Sequence, residues 1–322
     1  MPENGVTTSA GDSEGHWLNP FARRTHHSAT TILIYKILTP LTYILLVATS
    51  ILYTFHAPAP SSSDHVKHGK HGKHGKHSPS VHHTHPAHTI FGQNAPTPFA
   101  QNSIITSLYW LALFLLQPFY LAALYRSSNP AWLHPALNLA SHYIAHNLLL
   151  FGFLHLWTRS HFWLAELLLV LNFANLSIAY FRHSTSPRVL HVGVLAGPLA
   201  WTFVGLYWVG ARAVGSDALP ARIVANVFIW GYLAYGVFFL VAFKDYTMGF
   251  ALSVLSFSTG VGQFLTNIPI LHIQWIFAFT IGALLFTLSV LVGVPSLLGR
   301  DPVARGAVVD QDRERAPLLD DE

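Results

Sequence analysis

Eight apolar runs of 20 to 25 residues follow one another between Thr31 and Val294, and this recurrence restricts the chain more than any other feature. A helix of about 20 apolar residues crosses the hydrocarbon layer of a bilayer. The expected spans are Thr31–Phe55, Ser103–Tyr125, Ala136–Trp157, Phe162–Phe181, Val189–Val209, Ile223–Phe243, Tyr246–Thr266 and Ile270–Val294. The ten-residue alternation of a transmembrane β-barrel is missing. Charged residues make up 10% of the chain, against about a quarter in a soluble protein. The expected fold class is therefore all-α: a polytopic integral membrane helix bundle with about eight transmembrane helices.

Breakers or charges punctuate the joins, at Asn129-Pro130, Ser186-Pro187, Lys244-Asp245 and Pro269. Tyr125, Trp157, Trp163, Tyr207, Trp208, Tyr246 and Trp275 gather near span ends, where amphipathic rings favour the headgroup level. The domain reading is a disordered cytosolic tail over 1–30 and a membrane domain over 31–298. The latter contains a disordered His-rich loop over 56–102, and a second disordered cytosolic tail covers 299–322. The seventh span is rich in small residues. Its Ser256/Gly260 and Ser258/Gly262 pairs suit close helix packing more than ligand lining.

Lys and Arg in short loops set orientation. With both termini in the cytosol, Arg23, Arg24, Arg126, Arg182, Arg188, Lys244, Arg300, Arg305, Arg313 and Arg315 fall on the cytosolic side. Only Arg159, Arg212 and Arg222 occupy the short loops opposite, while Lys67, Lys70, Lys73 and Lys76 of the long first loop run against the trend.

Two groups of residues carry possible chemistry. Ten of the 21 histidines lie between the first two spans: His56, then His65, His68, His71, His74, His77, His82, His83, His85 and His88. Neutral imidazoles can collect zinc, copper or nickel. The interleaved lysines and the Gly-Ser-Pro content oppose a fixed coordination geometry, so the tract reads as a weakly chelating disordered loop. Below about pH 6 its imidazoles protonate, and the loop then favours polyanions.

The second group is an intramembrane polar hairpin. His142, His146, Asn147 and His155 lie on the third span; Glu166, Asn172 and Asn175 lie on the fourth. Residues 158–161 alone join the two spans, so they fold back as antiparallel neighbours, with His146 level with Asn172 and His142 with Asn175. Polar groups inside a membrane are costly, and their clustering marks a substrate or proton path, or a hydrogen-bonded seam holding two helices together. Glu166 sits about one turn from its span's start, in reach of the interface or of His155. Haem ligation by His142 and His155 lacks partner histidines at matching depth.

Other catalytic signatures do not occur. There is no cysteine, which removes disulfides, thiolate metal sites and iron–sulfur clusters. No Gly-rich phosphate loop, zinc-protease pair or Gly-x-Ser-x-Gly elbow is present. These absences weigh against an enzyme and a resident cofactor beyond weak metal chelation at the His-rich loop, and nothing suggests nucleic acid; the partner read from composition is the lipid bilayer. In the carboxyl-terminal tail Glu314, Leu318 and Leu319 form an acidic dileucine pattern, read by clathrin-adaptor complexes in delivery to endosomal or vacuolar membranes. Asn19-Pro20-Phe21 matches a shorter endocytic pattern.

The stretches from Asn19 to His27, Ser160 to Val170, Ala221 to Asn226, Ala242 to Phe250 and Gln274 to Thr280 resemble a fungal family of multi-pass membrane proteins of unknown function. The resemblance runs from about residue 19 to about 295, outside the His-rich tract. It implies a fungal source and a membrane location, and it transfers no activity or site residue. The expected function is a transporter or permease-like role for the hairpin; the alternatives are a structural or sorting-related membrane protein, or an intramembrane haem or lipid enzyme.

Overall fold

The computed structural model describes residues 28–55, 97–126, 130–183, 187–215, 218–266 and 272–298. These form eight helical rods. They are α1 (Ala29–Phe55), α2 (Ser103–Tyr125), α3 (Pro130–Thr158), α4 (Phe162–Arg182), α5 (Arg188–Ala213), α6 (Leu219–Ala242), α7 (Tyr246–Leu265) and α8 (Gln274–Leu297). Seven are long and apolar enough to cross a membrane. The remaining rod, α3, is long enough but carries His134, Asn138, His142, His146, Asn147 and His155, which lower its mean hydropathy. The protein is a multi-pass membrane protein of all-helical architecture.

Contacts between helices give the topology. Tyr125 near the end of α2 bonds the Lys36 carbonyl near the start of α1, so these two run antiparallel. The Tyr53 hydroxyl meets His155 Nδ1 at 3.0 Å, which sets α1 and α3 parallel. Ser253 donates to the Gly282 carbonyl, and Gly293 lies against Tyr246, so α7 and α8 are antiparallel. Successive helices alternate in this way, and the starts of α1, α3, α5 and α7 share one end of the bundle.

The bundle turns its apolar surface outward. Leu33, Ile37, Leu41, Ile44 and Leu52 on α1 are each more than half exposed. A soluble protein rarely leaves such a continuous apolar face open, whereas lipid tails cover it without cost. Among the seven most apolar helices α5 is the most buried and α1 the least.

α5 departs from regular geometry at a π-helical turn, His191–Ala196, that runs into Gly197 and Pro198. A proline has no N–H for the preceding turn, and a wide turn absorbs the mismatch. The Gly193 and Gly197 carbonyls take outside donors from α2, namely Gln117 Nε2 at 3.4 Å and the Tyr109 hydroxyl at 2.7 Å. A β-carbon on Gly197 would lie 2.4 Å from Leu113, so only glycine lets α2 approach here. The small residues of α7 serve the same end. A β-carbon on Gly262 would sit 2.5 Å from the Ala100 carbonyl oxygen, and one on Gly260 would press on the Phe279 ring.

Two sequence expectations need correction. Residues 97–102 belong to the bundle, not to a disordered loop: Thr97, Phe99, Ala100 and Gln101 are buried. Gln274 accepts from the Phe99 N–H, and Gln263 Nε2 donates to the Thr97 carbonyl, so two glutamines from different helices pin the segment. The third helix also begins six residues earlier than expected, because Pro135 stands near its start, where losing one backbone bond does not end the helix.

Candidate functional site

The third helix is held by its polar residues rather than in spite of them. Between them they reach three neighbouring helices. Towards α4, His142 Nδ1 lies 2.8 Å from Asn175 Oδ1, and His146 Nδ1 lies 3.0 Å from Asn172 Oδ1. Towards α2, the Tyr143 hydroxyl donates to Gln117 Oε1 at 2.9 Å. Towards α1, Asn147 Nδ2 reaches Thr42 Oγ1 at 3.3 Å. The His–Asn pairs show the register that a four-residue join imposes on the hairpin.

Hydrogen-bond roles fix the imidazole tautomers. Asn175 Nδ2 donates to the His142 carbonyl, so its Oδ1 is left as the acceptor facing the ring. Asn172 Nδ2 donates to Thr202 Oγ1 at 3.2 Å, and its Oδ1 accepts from His146 in the same manner. Both rings therefore carry their proton on Nδ1 when neutral, with Nε2 left as a lone pair. His146 is fully buried, and its Nε2 meets no donor in the protein. Asn147 Oδ1, on the next residue, is also buried without a donor.

Glu166 is the only acidic residue within the described spans, and it does not meet His155. His155 is taken by Tyr53 of α1. The Glu166 carboxylate instead lies over Gly210 of α5, where an added β-carbon would stand 3.5 Å from Oε1. Its Oε2 is buried without a partner. The nearby Arg212 guanidinium is stacked 5.0 Å over the Phe162 ring.

A second polar centre escaped the sequence reading. Asp245, between α6 and α7, accepts on Oδ2 from His191 Nε2 and from the Tyr180 hydroxyl, both at 2.7 Å. Its Oδ1 caps α7 by accepting from the Thr247 and Met248 N–H groups at 2.9 and 3.2 Å. Burial acts to raise this carboxyl, but the His191 hydrogen bond and charge, with hydrogen bonds from Thr247 and Tyr180, outweigh it. They hold Asp245 well below the usual carboxylate range. The cap itself was legible, since an acid just ahead of an apolar run is a helix-start signal. The partners His191 and Tyr180 come from two other helices and left no local trace.

Among the described residues, no three His, Cys, Asp or Glu side chains converge as a metal centre would require. The histidines of the first loop (His65 to His88) and the sorting residues Glu314, Leu318 and Leu319 lie outside the described residues.

The family comparison bears on the carboxyl-terminal part of the chain. No curated protein matches the chain, and no solved structure does. Residues 222–319 match the family model described as "Fungal protein of unknown function (DUF1774)". The matched stretch takes in most of α6 together with α7 and α8, whereas α3 and α4 lie outside it. Through this carboxyl-terminal stretch the protein is similar to a fungal family of unknown function, as three of the five resembling sequence stretches also indicate.

Proposed function

We propose that the protein is permease-like and passes protons, or a small solute bearing hydrogen-bond donors, along the α3–α4 hairpin. One observation carries this reading. His146 Nε2, Asn147 Oδ1 and Glu166 Oε2 are all buried without partners, and all three belong to the same pair of helices. A buried acceptor with no donor costs about 1–3 kcal/mol, so retaining three on one hairpin favours a visiting donor over a purely structural seam. The Nδ1–H tautomer set by Asn172 keeps His146 Nε2 open to accept a proton.

The test is flux into proteoliposomes that hold a pH-sensitive dye, under an imposed pH gradient. Wild-type protein is expected to exceed empty liposomes, with Glu166→Gln and His146→Leu each lowering the excess about tenfold or more. Wild-type flux equal to that of empty liposomes would instead favour a non-transporting structural protein, in which the His–Asn pairs only hold helices together.

The carboxyl-terminal tail adds a proposed address. Glu314, Leu318 and Leu319 fit adaptor-mediated delivery to endosomal or vacuolar membranes. Imaged beside the wild type, a tagged Leu318→Ala/Leu319→Ala variant is expected to move to the cell surface. Identical locations would remove the dileucine from the account.

A further inference from the structure

We propose that the end of the bundle where α3 turns into α4 binds a zwitterion, a small group carrying both an ammonium and an oxyanion, between Glu166 of α4 and Arg212 of α5. The site shares Glu166 with the flux reading but requires binding only. Zwitterion binding without proton flux keeps this inference and removes that reading, and flux without zwitterion binding does the reverse.

Two opposite charges stand here on packed helices without meeting. Phe162 and Glu166 are four residues apart on α4, and Trp208 and Arg212 four apart on α5, so each pair shares a helix face. The two faces are in contact: the Arg212 guanidinium lies 5.0 Å over the Phe162 ring, and Glu166 Oε1 lies against Gly210. Neither Glu166 nor Arg212 forms an ion pair with the other or with any other described residue. Glu166 Oε2 and Arg212 Nε are both buried without a partner. Opposite charges on adjoining helices ordinarily close on one another, because each alone bears an uncompensated desolvation cost. Held apart, these two match a ligand that brings a complement to each.

The surroundings supply the rest of the site. Trp157 packs edge-on against Trp208 at 4.4 Å and against Phe162 at 5.0 Å. Trp157 is 2% exposed and Trp208 3%, and each indole N–H is buried with no acceptor in the protein. A phosphate or carboxylate held by the planar Arg212 fork offers these N–H groups the acceptor they lack, and the ammonium donates to Glu166. A plain anion would face Glu166 and a plain amine would face Arg212, so the pair of charges selects against either. Trp163, in the first turn of α4, is 66% exposed, which sets this end at the headgroup level. The zwitterion is therefore the headgroup of an ethanolamine phospholipid in the adjoining leaflet or a free amino acid.

The experiment uses the full chain purified in detergent, with two probes. Phosphatidylethanolamine and phosphatidylglycerol, which share the phosphate and differ in the ammonium, are compared by native mass spectrometry. Radiolabelled alanine is titrated by equilibrium dialysis, with lactate, its counterpart lacking the ammonium, as competitor. Retention of phosphatidylethanolamine over phosphatidylglycerol by about tenfold or more identifies a headgroup site, since a hydrogen bond to a charged group is worth at least one such factor. Saturable alanine binding that lactate does not displace identifies a free-solute site. Glu166→Gln is expected to abolish whichever discrimination wild type shows while phosphatidylglycerol retention stays unchanged, because the Arg212 side remains. Arg212→Gln is expected to weaken both lipids. The wild-type comparison needs no variant, so a substitution that fails to fold leaves the test intact. Equal retention of the two lipids by wild type together with no saturable alanine binding, or undiminished discrimination in Glu166→Gln, overturns the proposal.

Discussion

Replacing Asp245 with alanine is expected to lower the stability of the bundle by roughly 3–7 kcal/mol, the largest loss from any single polar residue outside the spans. The estimate follows from what the carboxylate holds. It caps α7 through the Thr247 and Met248 N–H groups, a contribution of about 1 kcal/mol. It also satisfies His191 and Tyr180, each within 2.7 Å, and stranding either donor costs about 1–3 kcal/mol. Unfolding followed by circular dichroism in detergent measures the loss, and a value under about 1 kcal/mol would mean that α4, α5 and α7 meet without this junction. The pH dependence has a definite sign. A carboxyl depressed in the folded state contributes stability that is fully present above the unfolded carboxylate range. That contribution is lost as pH falls through the folded value. Wild type should therefore weaken from about pH 4 downward, whereas Asp245→Asn, which keeps a capping side chain but not the charge, should be less sensitive to acid.

The second large effect is expected at Asn172. Substitution by leucine leaves the His146 Nδ1–H without an acceptor in a fully buried position and removes the donor to Thr202. A stability loss of roughly 1–3 kcal/mol should result. The double variant His146→Leu/Asn172→Leu should recover most of it, because both partners of the bond become apolar together. A coupling of this kind measures the pair and not either residue alone. The same double variant separates two roles for the hairpin. If the His–Asn pair is only a seam, stability and every other property return together. If His146 Nε2 accepts a travelling proton, stability returns and flux does not. Unfolding curves and liposome flux from one preparation therefore decide between them.

How much of this was legible beforehand follows a physical rule. The eight helices were readable because each must cover about the same hydrocarbon thickness, which sets length and composition together. Their ends were less so. The third span was expected from Ala136 and its helix begins at Pro130, while the last expected span begins at Gln274 instead of Ile270. The His142–Asn175 and His146–Asn172 pairs were readable because residues 158–161 leave the two helices one way to fold back. Contacts between helices distant in sequence had no such constraint. Nothing local links Asp245 to Tyr180 and His191, Gln117 to Tyr143, or Gln263 and Gln274 to residues 97–101. Glu166 shows the same limit, since it faces Gly210 of α5 and not the histidine one turn away across the hairpin.

The composition of α3 has a consequence for how the protein is made. A helix carrying this many imidazoles and amides is a poor substrate for lateral release into lipid, because each exposed polar group in hydrocarbon costs free energy. Its partners on α4 arrive only after a four-residue turn. The two helices should therefore leave the translocation channel as a pair, with the His–Asn bonds formed before lipid contact. Asn172 and Asn175 would then act during biosynthesis as well as in the finished bundle, by letting a helix that is poorly suited to membrane entry alone cross with its neighbour.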